Sequence, residues 1–149
     1  MWRRPQEPAR RQAPTWEPRR DDARPRALIE HPDPAAQDVL ARGLRQHGYE
    51  VLTCGGPRAA GRTEVSCPLL RQEACGAIDG ADVVISGLSP HTSTERLIMR
   101  RTSQGPEGPR VVLEATPRET AALLDAPADG HVTPLTVPGV VNALERLEH

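Results

Sequence analysis

Residues 27–51 read ALIEHPDPAAQDVLARGLRQHGYEV. Ala27-Leu28-Ile29 is a short apolar run of the kind that forms a buried strand. Asp33 followed by Pro34 supplies an N-cap and a proline at the first helical position. Ala36, Val39, Leu40 and Leu44 recur at helical spacing, and Gly48 stands at the C′ position that ends the helix. Tyr49 to Thr53 then alternates as a second strand. One strand, one amphipathic helix and a second strand within so few residues make a β-α-β unit. Such a unit requires a parallel sheet, because a crossover helix returns the chain to the same edge.

The same alternation continues outward from this segment. Pro68 to Gly80 carries Leu69, Leu70, Ala77 and Ile78 and predicts a short helix weakened by Gly76. Asp82-Val83-Val84-Ile85 is a third strand, its continuous apolar run suited to the middle of a sheet. Thr92 and Glu95 form a capping box before Leu97, Ile98 and Met99. Loops are expected at Gly55–Ser66 and Thr102–Pro109. Val111-Val112-Leu113 is a fourth strand. Thr116, Pro117 and Glu119 form a second capping box, with Ala122 and Leu123 beyond it. His131-Val132 opens a fifth strand. Pro138 starts a last helix that carries Val140, Val141, Leu144 and Leu147 on one face. Five β-α units over residues 27–149 predict a flavodoxin-like α/β three-layer sandwich with a parallel five-stranded sheet in the order 2-1-3-4-5. The working edge of such a sheet lies at the C-terminal ends of its strands.

The 149-residue chain has a net charge of −1, and all 19 of its basic residues are arginine. With no lysine, Schiff bases, P-loop lysines and lysine general bases are excluded. Residues 1–26 hold eight Arg, four acids and five Pro, a net charge of +4. This composition predicts a disordered Arg/Pro-rich tail, with 27–149 as the one folded domain. Such a tail is a solvated segment or a basic arm for nucleic acid or an acidic partner. No stretch reaches the roughly 18 apolar residues of a membrane span, and no signal sequence follows the N-terminal arginines, so a cytoplasmic location is expected.

Cys54 ends the second strand, and Cys67 and Cys75 follow after 12 and 7 intervening residues. The odd number excludes a complete intrachain disulfide framework. The spacing is not that of a zinc ribbon, yet Cys54, Cys67 and Cys75 with His31 make a candidate set for Zn or an Fe–S cluster. Cys54 and Cys67 also make a candidate redox pair, since a helix N-terminus lowers a thiol pKa. His31, His91 and Glu30 form a second small metal candidate. Arg58 and Arg62 stand four and eight residues after Cys54, so the phosphate loop of a cysteine phosphatase, which needs six, is absent. Gly55, Gly56 and Gly61 do not form a dinucleotide fingerprint.

Over residues 27–149 the chain resembles the receiver domain of two-component response regulators. The resemblance is carried by ALIEHPDPAAQDVLARGLRQHGYEV, then ADVVISGLSP, PRVVLEAT and HVTPLTVPGVVNALERL in that order. It implies an acidic pair after strand one that holds Mg²⁺, a phosphoacceptor Asp after strand three, a switch hydroxyl after strand four and a Lys after strand five. This chain departs at each place. Glu30 matches one acid, but His31 stands where its partner belongs. Gly87 takes the phosphoacceptor position. Glu114 takes that of the switch hydroxyl, with Thr116 two residues on, and Thr133 or Pro134 that of the lysine. A single carboxylate is a poor Mg²⁺ site. The resemblance therefore implies a degenerate, or pseudo-, receiver that is not an enzyme, needs no cofactor and acts independently of phosphorylation. Its partner would be another protein, a signalling or transcription component, met through residues from about Pro117 to Leu147; a homodimer is also open to it. No DNA-binding helix is expected after the last helix. The alternative is a metal- or redox-sensing domain built on Cys54, Cys67, Cys75 and His31.

Overall fold

The computed structural model describes residues 15–20, 23–55, 67–103, 108–124 and 128–148. Strand β1 (Arg26–Glu30) is followed by α1 (Pro34–Gln46), β2 (Glu50–Cys54), a 3-10 turn (Pro68–Arg71), α2 (Gly76–Asp79) and β3 (Val83–Ser86). Then come α3 (Ser93–Thr102), β4 (Arg110–Leu113), α4 (Pro117–Glu119), β5 (Gly130–His131) and α5 (Val137–Glu148). The strands form one parallel sheet in the order β2-β1-β3-β4-β5. The expected α/β sandwich and its strand order are thus observed.

Side-chain alternation along the strands sorts the core into layers. Ala27, Ile29, Val83, Ile85 and Val112 meet Leu40 and Leu44 of α1 and Val140 and Leu144 of α5 on one face. On the other face Leu28 and Val84 pack with Ala77 and Ile78, while Val111 and Leu113 pack with Ile98, Met99 and Leu124. The caps are built as their sequences require. Asp33 Oδ1 accepts from the Ala35 amide at 3.1 Å, and Gly48, at φ +92°, ends the turn after α1. Thr116 and Glu119 exchange both bonds of a capping box at 3.1 Å.

Several elements differ from the sequence reading. The helix expected over 68–80 is two pieces, because Gln72 turns left-handed at φ 60° and breaks it. At α3 the Thr92 hydroxyl donates to the Glu95 carboxylate instead of accepting from the backbone, so the capping box there is not made. Strand β5 is one residue earlier than read, and the turn after Glu119 widens into a π-helical turn over Thr120–Leu124.

The domain boundary also moves. Residues 1–14, 21 and 22 of the expected tail lie outside the described residues, but Thr15–Arg20 and Ala23–Pro25 form a strap on the domain and β1 begins at Arg26. Trp16 Nε1 donates to Ala77 O at 2.8 Å, and the Arg26 guanidinium lies 5.1 Å from the centre of the indole ring. A Cβ on Gly80 would lie 2.6 Å from Trp16 Cδ1, so a larger residue there would displace the indole from its seat. Arg26, only 6% exposed, donates to Glu50 Oε2 at 3.0 Å and to the Glu17 carbonyl. Arg19 pairs with Asp82 at 2.9 Å. One half-buried indole and these polar contacts offset the ordering entropy that composition alone assigns to the segment. The expected loops at 56–66, with Arg58 and Arg62, and at 104–107 lie outside the described residues.

Candidate functional site at the C-terminal edge of the sheet

The strand register sets Glu30 between Cys54 on β2 and Ser86 on β3. Alternation places all three on the face that carries Leu28 and Val84. That face is covered by Ala77, Ile78 and Cys75, with Leu69 and Cys54 packed beside them. Glu30 is therefore held in apolar surroundings, 4% exposed, and its Oε1 has no hydrogen-bond partner among the described residues. Burial penalises the charged form and pushes the Glu30 carboxyl up to about 7.

The thiols of Cys67 and Cys75 meet the same dry environment. Burial raises both, the backbone amides of the turns they precede pull the other way, and the nearby Glu30 and Cys54 add to the rise. This corrects the expectation of an activated Cys67, because desolvation outweighs the amides of its turn. No group of three or more His, Cys, Asp or Glu suited to a metal ion is assembled among the described residues. The set Cys54, Cys67, Cys75 and His31 is not brought together as ligands. Nor are Glu30, His31 and His91.

His31 has a different task. Its backbone N–H donates to Cys54 O at 2.9 Å, and the Gly87 N–H donates to Glu30 O at 2.7 Å, so the loops after β1 and β3 run side by side. The Asp33 amide donates to His31 Nδ1 at 3.0 Å, which leaves the ring proton on Nε2. The ring lies in the space a side chain at position 87 would enter: a Cβ there would stand 2.8 Å from Nε2 and 3.1 Å from Cγ. Gly87 and His31 fit each other, and an acidic side chain at 87 does not fit with His31 in place.

The remaining predicted positions are also occupied by structural tasks. Glu114 Oε2 accepts the Leu135 amide at 2.6 Å and so fastens the end of β4 to the loop after β5. That loop contains the exposed Thr133 and Pro134, joined by a cis peptide bond. Thr116 caps α4. Two contacts were not signalled by any sequence pattern. His131 Nδ1 donates to Ala115 O at 3.1 Å, beside the buried Thr120 hydroxyl, and His91 Nε2 meets Glu119 Oε2 at 2.9 Å between the loop after β3 and α4. The Thr116 amide, with help from His91 and the Thr116 hydroxyl, holds the Glu119 carboxyl below its usual range.

A receiver-type Mg²⁺ does not fit these residues. Among the described residues Glu30 is the only carboxylate at the ends of β1, β2 and β3, Asp33 is engaged as the cap of α1, His31 and Gly87 bring no oxygen side chain, and Glu114 is engaged with Leu135. Hard divalent cations need several oxygen ligands.

No family model matches the chain, and no curated protein matches it. Solved structures do. The chemotaxis response regulator CheY4 of Vibrio cholerae is 18% identical, covering 84% of this chain and 99% of its own, with a TM-score of 0.57. A response regulator receiver domain protein from Clostridium thermocellum is 17% identical, covering 83% and 97%, with a TM-score of 0.56. A CheY-like receiver domain protein from Methanospirillum hungatei JF-1 is 16% identical, covering 84% and 94%, with a TM-score of 0.56. At these identities the likeness establishes a receiver-like fold. No described helix is long and apolar enough to cross a membrane.

Proposed function

We propose that the chain is a pseudo-receiver: a non-enzymatic signalling domain of the two-component type that works without aspartyl phosphorylation. The observation that carries this reading is the His31 ring seated over Gly87, where a Cβ would stand 2.8 Å from Nε2. Phosphoryl transfer to a receiver needs a carboxylate nucleophile at that point, a metal to bridge the phosphate and a cation to balance its charge. Here the nucleophile is absent, its space is filled, and no lysine exists in the chain. What is left is a rigid fold whose surfaces can bind. The domain acts through a protein partner of the signalling or transcription machinery in the cytoplasm, by the face from Pro117 to Leu147.

Incubation with acetyl phosphate and Mg²⁺, followed by intact-protein mass spectrometry, tests the reading. No phosphoryl adduct is expected. A stoichiometric adduct mapped to a carboxylate at the C-terminal edge overturns it.

A further inference from the structure

Three thiols gather about one dry carboxyl. The register sets Cys54 beside Glu30, and alternation turns both toward the layer that holds Cys75, Ala77 and Ile78. Cys67 and Cys75 both feel the charge of Glu30 and that of Cys54. All three cysteines are reduced.

The fold does not share them equally. Cys75 belongs to the cluster of Leu28, Ala77, Ile78 and Val84, and Cys54 and Leu52 pack against that same cluster. Cys67 belongs instead with the cluster of Leu88, Met99, Val111 and Leu113. Val111 and Leu113 are on β4, and in the order β2-β1-β3-β4 two strands separate β4 from the Cys54 strand. Cys54 and Cys75 are thus the pair on one side of the layer, and Cys67 is set toward the other. Cys54 is half-buried, and Cys75 is buried.

We propose that Cys54 and Cys75 are a reversible dithiol–disulfide pair that exchanges with low-molecular-weight disulfides and, when oxidised, fastens the end of β2 to the start of α2. The Cys54 thiolate attacks one sulfur of the incoming disulfide, forms a mixed disulfide and releases one small thiolate. Cys75 then attacks the Cys54 sulfur and releases the second. Two protein thiols and one small disulfide become one protein disulfide and two small thiols. Each protein sulfur is oxidised by one electron, and both protons leave on the small thiols. The surroundings suit the product. Burial opposes a charged Cys75, and Glu30 adds to the penalty, whereas a disulfide carries no charge. A pair whose thiolate is not stabilised gives a disulfide that is a weak oxidant. This chemistry does not involve Gly87, so it goes beyond the pseudo-receiver reading and stands apart from it.

The test uses the full chain, reduced, freed of reductant and mixed with glutathione disulfide, then alkylated and mapped by mass spectrometry. With no lysine in the chain trypsin cuts only after arginine, and Arg58, Arg62 and Arg71 put the three cysteines on three peptides. The expected product has lost the mass of two hydrogens, joins the Cys54 peptide to the Cys75 peptide, leaves Cys67 alkylated and reverts with dithiothreitol. In urea this preference is expected to vanish, because Cys54 with Cys75 closes the longest of the three possible loops. Cys67→Ser should form the same link, and Cys75→Ser should stop at the glutathione adduct. A main product linked through Cys67 in the folded chain overturns the proposal. So does a glutathione adduct on the parent with no link, an absence of reaction, or a link found only in a species of doubled mass. An equal Cys54–Cys75 preference in urea also overturns it, because the pairing then comes from the chain and not from the fold. Mapping the parent needs no variant, so a variant that fails to fold leaves the answer intact.

Discussion

Replacing Glu30 by glutamine removes one proton-binding group from the driest part of the sheet edge. In the folded chain this carboxyl sits at about 7 against an ordinary 4.5. The folded state therefore binds the proton more tightly than the unfolded chain does. Stability is greatest while both states are protonated, falls as pH rises past 4.5, and reaches its floor above 7. The difference corresponds to about 3 kcal/mol, a large part of the roughly 5–15 kcal/mol that holds a small domain together. Glu30→Gln keeps the shape and cannot ionise. It is expected to match the parent near pH 4 and to exceed it by about 3 kcal/mol at pH 8. Urea unfolding followed by circular dichroism, at intervals from pH 4 to 8 on both proteins, gives this difference directly. The other titrating groups cancel in the subtraction: the Cys67 and Cys75 thiols are raised from an ordinary 9.0, and Glu119 is lowered. A difference that stays flat across the range, or a glutamine variant that is weaker at pH 8, refutes the buried, unpartnered carboxyl.

Gly87→Asp is expected to destabilise by about 1–3 kcal/mol through overlap with the His31 ring. His31→Ala in the same chain should recover most of that loss, so a double-mutant cycle that shows simple additivity contradicts the contact. Trp16→Ala should cost about 2–3 kcal/mol in thermal or urea unfolding, a reduced form of the loss seen for a fully buried indole. Trp16→Phe should cost about 1 kcal/mol, chiefly the bond to Ala77. Thr116→Ala removes the acceptor for the Glu119 amide and should cost about 1 kcal/mol, read from denaturant midpoints.

The strands, α1 and the sheet order were legible because their signals are local. An apolar triplet before Asp33-Pro34, a 3.6-residue stripe and Gly48 decide that segment without help from the rest of the chain. The edge residues were legible as positions, since a residue just after a strand lies at the sheet edge. Their chemistry was not. Whether Glu30 is wet or dry depends on Cys75, Ala77 and Ile78, which reach it only through the fold. The same holds for Cys67, whose place at the start of a turn suggested activation until its burial was known. His31 and Gly87 are far apart in sequence, and no pattern tells that one ring fills the other's missing side chain. The strap was missed because composition counts charges and prolines, whereas Trp16, Arg19 and Arg26 each have a specific seat.

The strap has a temporal consequence during synthesis. Trp16 and its acceptor Ala77 are 61 residues apart. At ribosomal speeds of about 5–20 residues per second, the indole emerges roughly three to twelve seconds before its seat exists. Late in that interval, once Cys54 has emerged, β1 and β2 can pair, yet the apolar patch on Leu28 has neither α2 nor the indole over it. The strap is thus made before its seat and settles after it. Nascent chains stalled before and after Gly80 should differ sharply in how readily a protease cuts at the arginines around Trp16.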